Sequence, residues 1–128
     1  MRKIILFAGL IWAFGTATTL QATAATPCAG DQNQMNQCAE DNYKLAEQKL
    51  QKYQAALVKG LTGQKDKIEA AQKDWQNYAQ KYCELTASDF EGGSGWPALY
   101  FACLEKRTQA RLDDLKTLLA HFEMALPQ

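Results

Sequence analysis

The 128-residue chain carries one histidine, three prolines and no CxxC pair. His121 stands far along the chain from every cysteine, so no ligand set with zinc spacing can be assembled and no metal or other cofactor is expected. No serine or cysteine is placed beside His121 by a nucleophile motif, and the acids are scattered along helical faces. The chain is therefore not expected to be an enzyme, and His121 is read as a surface residue near a helix C-terminus. An excess of one charge is missing too. Lys and Arg number 14, against 14 Asp and Glu, so no basic face for nucleic acid is expected. Proline is absent between Pro27 and Pro97, and from Asp31 to Glu91 glycine occurs only at Gly60 and Gly63. Little in that stretch can break a helix.

The start of the chain has a different character. Arg2 and Lys3 precede an apolar run from Ile4 to about Phe14, followed by small residues. This is the three-part pattern of a secretory signal, and its apolar core is shorter than the roughly 20 residues a bilayer span requires. Ala22-Thr23-Ala24 supplies a small-x-small cleavage site. The expectation is a signal over residues 1–24 and a single domain over 25–128, periplasmic or secreted, with no stable membrane anchor once the signal is removed. Pro27 stands where a lipid-modified Cys28 would want a small residue. Loss of Arg2 and Lys3 leaves 12 basic and 14 acidic residues, a net of about −2.

Hydrophobic spacing predicts an all-α domain of three helices. Asp31 is a candidate cap, with Gln34 completing a capping box. Met35, Ala39, Ala46, Leu50, Tyr53 and Leu57 recur at helical spacing until Gly60 or Gly63 ends the first helix. The second restarts at Gln64–Asp66 and runs to about Leu85 or Thr86. Its stripe is Ile68, Ala71, Trp75, Tyr78, Ala79 and Tyr82. The third takes Pro97 in its first turn and runs to about Ala125, with Phe101, Leu104, Thr108, Arg111, Leu115, Leu118 and Phe122 on a stripe widened by Leu112 and Leu119. The short first connection forces an antiparallel pair, giving an up-down-up bundle. Trp75, Tyr78, Tyr82, Leu104 and Leu115 are the expected core, with the second helix as the scaffold shared by its neighbours.

Cys28, Cys38, Cys83 and Cys103 all fall at one pole of such a bundle. An even count in an exported chain points to two disulfides pinning that pole. Height along the helices favours Cys38–Cys103 and Cys28–Cys83 among the three possible pairings.

The residues resemble the LprI-like lysozyme inhibitor domain family. The resemblance rests on QMNQCA (Gln34 to Ala39), AQKDWQNY (Ala71 to Tyr78) with Cys83 five residues on, GGS (Gly92 to Ser94), Cys103-Leu104 and TQAR (Thr108 to Arg111). Their order and spacing cover nearly all of residues 25–128. Three positions depart from the pattern. Ala79 stands where the family usually has an arginine, and Glu47, Leu50 and Gln51 stand where it has Asp-x-x-Leu-Asn. The resemblance implies a helical fold and, for activity, inhibition of a lysozyme-type muramidase in the cell envelope.

Within the chain, the segment TASDFEGGSGWP (Thr86 to Pro97) is the best candidate for contact. Its glycines allow close backbone approach, Ser94 can donate or accept, and Trp96 is a favoured interface residue. The competing reading makes Trp96 a cap on the core. Lys106 and Arg107 add a basic surface near the loop, suited to a cleft whose working groups are two carboxylates. Arg111 and Thr108 fall on the apolar stripe. Arg111 either reaches an acidic cleft or pairs with an acid on the first or second helix. The alternative to an inhibitor is a periplasmic interaction module that inhibits nothing.

Overall fold

The structure is a computed structural model and describes residues 25–128; the expected signal over 1–24 lies outside the described residues. Three helices follow in order, α1 (Gln32–Gly60), α2 (Lys65–Thr86) and α3 (Trp96–His121), with a 3-10 turn at Ser88–Phe90 between the last two. Among the described residues there is no strand, and no helix is long and apolar enough to cross a membrane.

The first helix starts where a side chain can satisfy its orphan amides. Asp31 Oδ1 accepts from the Gln34 N–H at 3.0 Å, and Gln34 Oε1 accepts from the Asp31 N–H at 2.9 Å, which completes a capping box. It ends at Gly60, and Gly63, with φ +85°, turns the chain into α2. Pro97 sits in the first turn of α3.

That last helix stops at His121, short of the expected Ala125. Glu123 adopts φ 54°, the Met124 N–H donates to the Leu119 carbonyl, and the Glu123 N–H donates to the Ala120 carbonyl. These two bonds form a Schellman motif closed by a non-glycine residue.

The helices run up, down and up. Asn36, early in α1, bonds to Ser94 and Ala98 at the start of α3, so these helices are parallel. Cys83, near the end of α2, is bonded to Cys103 near the start of α3, and Gln72 meets Arg111 farther along, so α2 and α3 are antiparallel. One core cluster joins Leu50, Tyr53 and Leu57 of α1 to Leu112, Leu115 and Leu119 of α3. A second joins Ala79 and Cys83 of α2 to Leu104 of α3, and the half-buried Trp75 packs against both.

The central helix is therefore α3, not α2. The contact of α1 with α3 is much the most extensive, and α1 barely meets α2. Apolar residues on adjoining faces let α3 serve two partners, whereas the fully buried residues of α2 are only Gln72, Ala79 and Cys83. Of the expected core, Leu104 and Leu115 are buried and Trp75 is half-buried. Tyr78 and Tyr82 are not core. They are 55% and 39% exposed, because the buried line of α2 runs through Ile68, Gln72, Trp75, Ala79 and Cys83 and leaves the tyrosines on its shoulder.

All four cysteines are disulfide-bonded at the expected pole, with a different pairing. The bonds are Cys28–Cys38 and Cys83–Cys103, not Cys38–Cys103 and Cys28–Cys83. Helical height misleads because residues 25–30 double back along α1. Asn42 Nδ2 donates to the Thr26 carbonyl at 2.8 Å, and Gly30 takes φ +114° at the reversal. This brings the Cys28 and Cys38 Cα atoms to 5.7 Å, within disulfide reach.

Candidate interaction surface at the disulfide pole

The connection from α2 to α3 is a string of turns rather than a free loop. The amides of Phe90, Glu91, Gly93 and Trp96 donate to the carbonyls of Ala87, Ser88, Phe90 and Gly93. Gly92, at φ +78°, supplies the one left-handed residue the path requires.

Asn36 clamps this connection from α1. Its Nδ2 donates to the Ser94 carbonyl at 2.9 Å, while its Oδ1 accepts from the Ala98 N–H at 3.2 Å and from Gln32 Nε2 at 2.8 Å. Sequence reasoning passed over Asn36. Its signal was a side chain with both donor and acceptor on the inner side of α1, one turn past the cap.

Trp96 is half-buried and stacks on Tyr100, with ring centroids 4.7 Å apart and an interplanar angle of 12°. Tyr100 meets Phe101 edge-on, and Phe101 stacks on Tyr43 of α1. Trp96 is thus anchored to the body of the protein with part of its ring outside. Burial and the nearby Glu84 raise the Tyr100 hydroxyl above its ordinary pKa.

Arg107 lies two turns beyond Tyr100 and shares its side of α3. Its guanidinium carbon sits 4.8 Å from the centre of the Tyr82 ring, and Tyr82 in turn neighbours Tyr78 at 5.8 Å. Its Nε is buried and has no hydrogen-bond partner. The two tyrosines expected in the core thus flank an arginine held over a ring, across the groove bridged by Cys83–Cys103.

The four residues singled out from sequence are not all brought together. Trp96 and Arg107 share one side of α3, and Ser94 is exposed on the connection pinned by Asn36. Lys106 is exposed and, about 100° from Arg107 around the helix, points away from the tyrosines. Arg111 does not pair with an acid of α1 or α2. Its Nε donates to Gln72 Oε1 at 3.4 Å, and its nearest carboxylate is Asp114 of its own helix at 3.9 Å. The Thr108 hydroxyl donates to the Leu104 carbonyl, which satisfies it within α3. Among the described residues, no group of three or more His, Cys, Asp and Glu side chains is placed to hold a metal ion.

The model of the family described as Lysozyme inhibitor LprI matches residues 22–115. The chain belongs to that family. The match spans both disulfides, the turn string and the Tyr78–Tyr82–Arg107 cluster. A relative, the "Uncharacterized protein R02472" of Rhizobium meliloti (strain 1021), is 28% identical over 109 residues, covering 74% of this chain and 78% of its own. No solved structure matches.

Two departures of this LprI chain from the family pattern meet in the structure. Ala79, where an arginine is usual, and Glu47, where an aspartate is usual, line the same cavity of about 120 Å³. Tyr43 donates its hydroxyl to Glu47 at 3.2 Å. Burial and that carboxylate push the Tyr43 hydroxyl up to about 12.

Proposed function

We propose that the protein is an exported, non-catalytic inhibitor that binds a lysozyme-type muramidase through the α2–α3 face at the disulfide pole. The observation carrying this reading is the cluster of Tyr78, Tyr82 and Arg107, with Trp96 on the same side of α3 about 16 Å nearer its start, on a chain of the LprI family. Trp, Tyr and Arg are the residues that dominate binding hot spots. Here they rest on a disulfide and a turn string bonded to α1, so little ordering cost remains at contact.

The chemistry suits the target. Glycoside hydrolysis uses two carboxylates flanking the scissile bond, and a guanidinium can bond a carboxylate through two N–H groups. Arg107 is positioned to supply that group, with Trp96 and Tyr82 covering the apolar walls of a sugar-binding cleft. Ser94, exposed on the pinned connection, extends the contact at its edge, and Lys106, turned away from the tyrosines, lies outside it. Two disulfides without a free cysteine among residues 25–128 suit an oxidising compartment, periplasmic or secreted.

Turbidity assays of cell-wall lysis, run with mature protein in excess over several lysozyme types, test this directly. Slower lysis supports the reading. Unchanged lysis, together with capture of a non-enzymatic partner from envelope extract, would mark the protein as an interaction module instead.

A further inference from the structure

At the opposite pole, the weak contact between α1 and α2 leaves a cleft with α3 at its base. Its volume is about 590 Å³, inside the range of small-molecule sites. Leu57, Leu61, Ile68, Leu115, Leu118 and Phe122 make the apolar part of its wall, and Gln54, Thr62, Gln64 and Gln72 are its neutral polar members. The charged residues on that wall are Lys67 and Arg111, and no carboxylate lines it.

Arg111 is the unusual member. Its side chain is only 21% exposed, its Nε donates to the buried Gln72, and its ion pair to the exposed Asp114 is long at 3.9 Å. A guanidinium has five N–H donors, so several of Arg111's remain for a ligand. From Arg111 to Phe122 the helix axis advances about 16 Å at 1.5 Å per residue, and the residues between them on this wall are leucines. The cleft thus offers the guanidinium of Arg111 at one end of an apolar trough, with the exposed Lys67 farther along its α2 rim.

We infer that this cleft binds a free fatty acid, its carboxylate on Arg111 and its alkyl chain along Leu115 and Leu118 towards Phe122. A carboxylate matches the planar fork of the guanidinium, and Lys67 adds positive potential from the α2 side. An unbranched chain suits an elongated trough lined by aliphatic side chains. A neutral alcohol of the same length fills the trough and leaves the guanidinium unanswered. The cleft lies at the other end of the bundle from Trp96 and Arg107, so the inference stands apart from muramidase binding.

The test is calorimetric titration of the mature chain with saturated acids from octanoate to tetradecanoate, below their micelle concentrations, with dodecanol as the neutral control. Affinity should rise about fourfold per methylene until the trough is full, the ratio set by about 0.8 kcal/mol for each buried methylene. Arg111→Gln should weaken dodecanoate at least tenfold and leave dodecanol unchanged. Ala71→Trp, at an exposed position on the wall, should abolish binding of both while helical circular dichroism and inhibition of lysis are retained. Absence of binding by every acid overturns the inference. So does equal affinity for dodecanoate and dodecanol, or binding of a lysophospholipid or a peptide carboxylate where fatty acids fail.

Discussion

Arg107 of α3, half-buried, lies over the ring of the partly exposed Tyr82 of α2, 4.8 Å from its centre. The contact makes two consequences separable. Removing the cation should damage a binding surface without opening the core. Arg107→Ala and Tyr82→Ala should each lower inhibition of lysis about tenfold or more, while the unfolding free energy falls by no more than about 1 kcal/mol. Equal losses of stability and inhibition would reassign the pair to structure.

Asn36 should act through the turn string. Asn36→Ala removes the partner of the exposed Ser94 carbonyl and of the part-buried Ala98 amide, at a cost of about 0.5–1.5 kcal/mol for each bond. Hydrogen exchange should quicken over residues 92–98 and stay unchanged in the Leu57–Leu119 core. Protection kept at the turn string would show that Asn36 does not hold it.

The two disulfides should differ in what they hold. Cys28–Cys38 ties an exposed lead-in to α1, while Cys83–Cys103 joins two helices through a fully buried Cys83. Limited reductant should open Cys28–Cys38 first. Replacing Cys83 and Cys103 with alanine should cost about 2–4 kcal/mol, more than the matching change at Cys28 and Cys38. Peptide mapping without reduction should recover Cys28 linked to Cys38.

Much of the fold was legible because helical period and caps are local signals. Asp31 with Gln34, Pro97 and the glycines at 60 and 63 placed most helix ends within a residue or two. The end of α3 was not legible, because the left-handed position is filled by Glu123 rather than glycine. The disulfide pairing depended on a reversal at Gly30 and the Asn42–Thr26 bond, which no periodicity reveals. The candidate surface was half legible. Trp96 and Arg107 were visible as residue types near a loop, but Tyr78 and Tyr82 were assigned to the core. A stripe of bulky residues does not say which of its edges meets a neighbour, and small residues, Ala79 and Cys83, took the close contact.

Glu123 offers a direct check on the α3 terminus. Glycine adopts φ 54° without the strain a side chain brings, so Glu123→Gly should stabilise the protein by about 1 kcal/mol. A loss of stability in urea unfolding would contradict the Schellman assignment.

Tyr43 should make the protein sensitive to alkali. A tyrosine whose pKa is higher folded than unfolded holds its proton longer in the native state. Its contribution is whole below about pH 10 and is lost as pH rises toward about 12. Tyr43→Phe should flatten the fall of urea midpoints above about pH 10. An unchanged slope would show that burial beside Glu47 does not raise this hydroxyl.

The central claim is that the α2–α3 face at the disulfide pole inhibits a muramidase. The most direct measurement compares lysis of cell walls with mature wild-type protein and with the Trp96→Ala, Arg107→Ala double variant, after circular dichroism has shown both folded. The account predicts that the wild type slows lysis by at least one lysozyme type and that the double variant does so at least tenfold less well. No inhibition by the wild type, or full inhibition by the double variant, would contradict it.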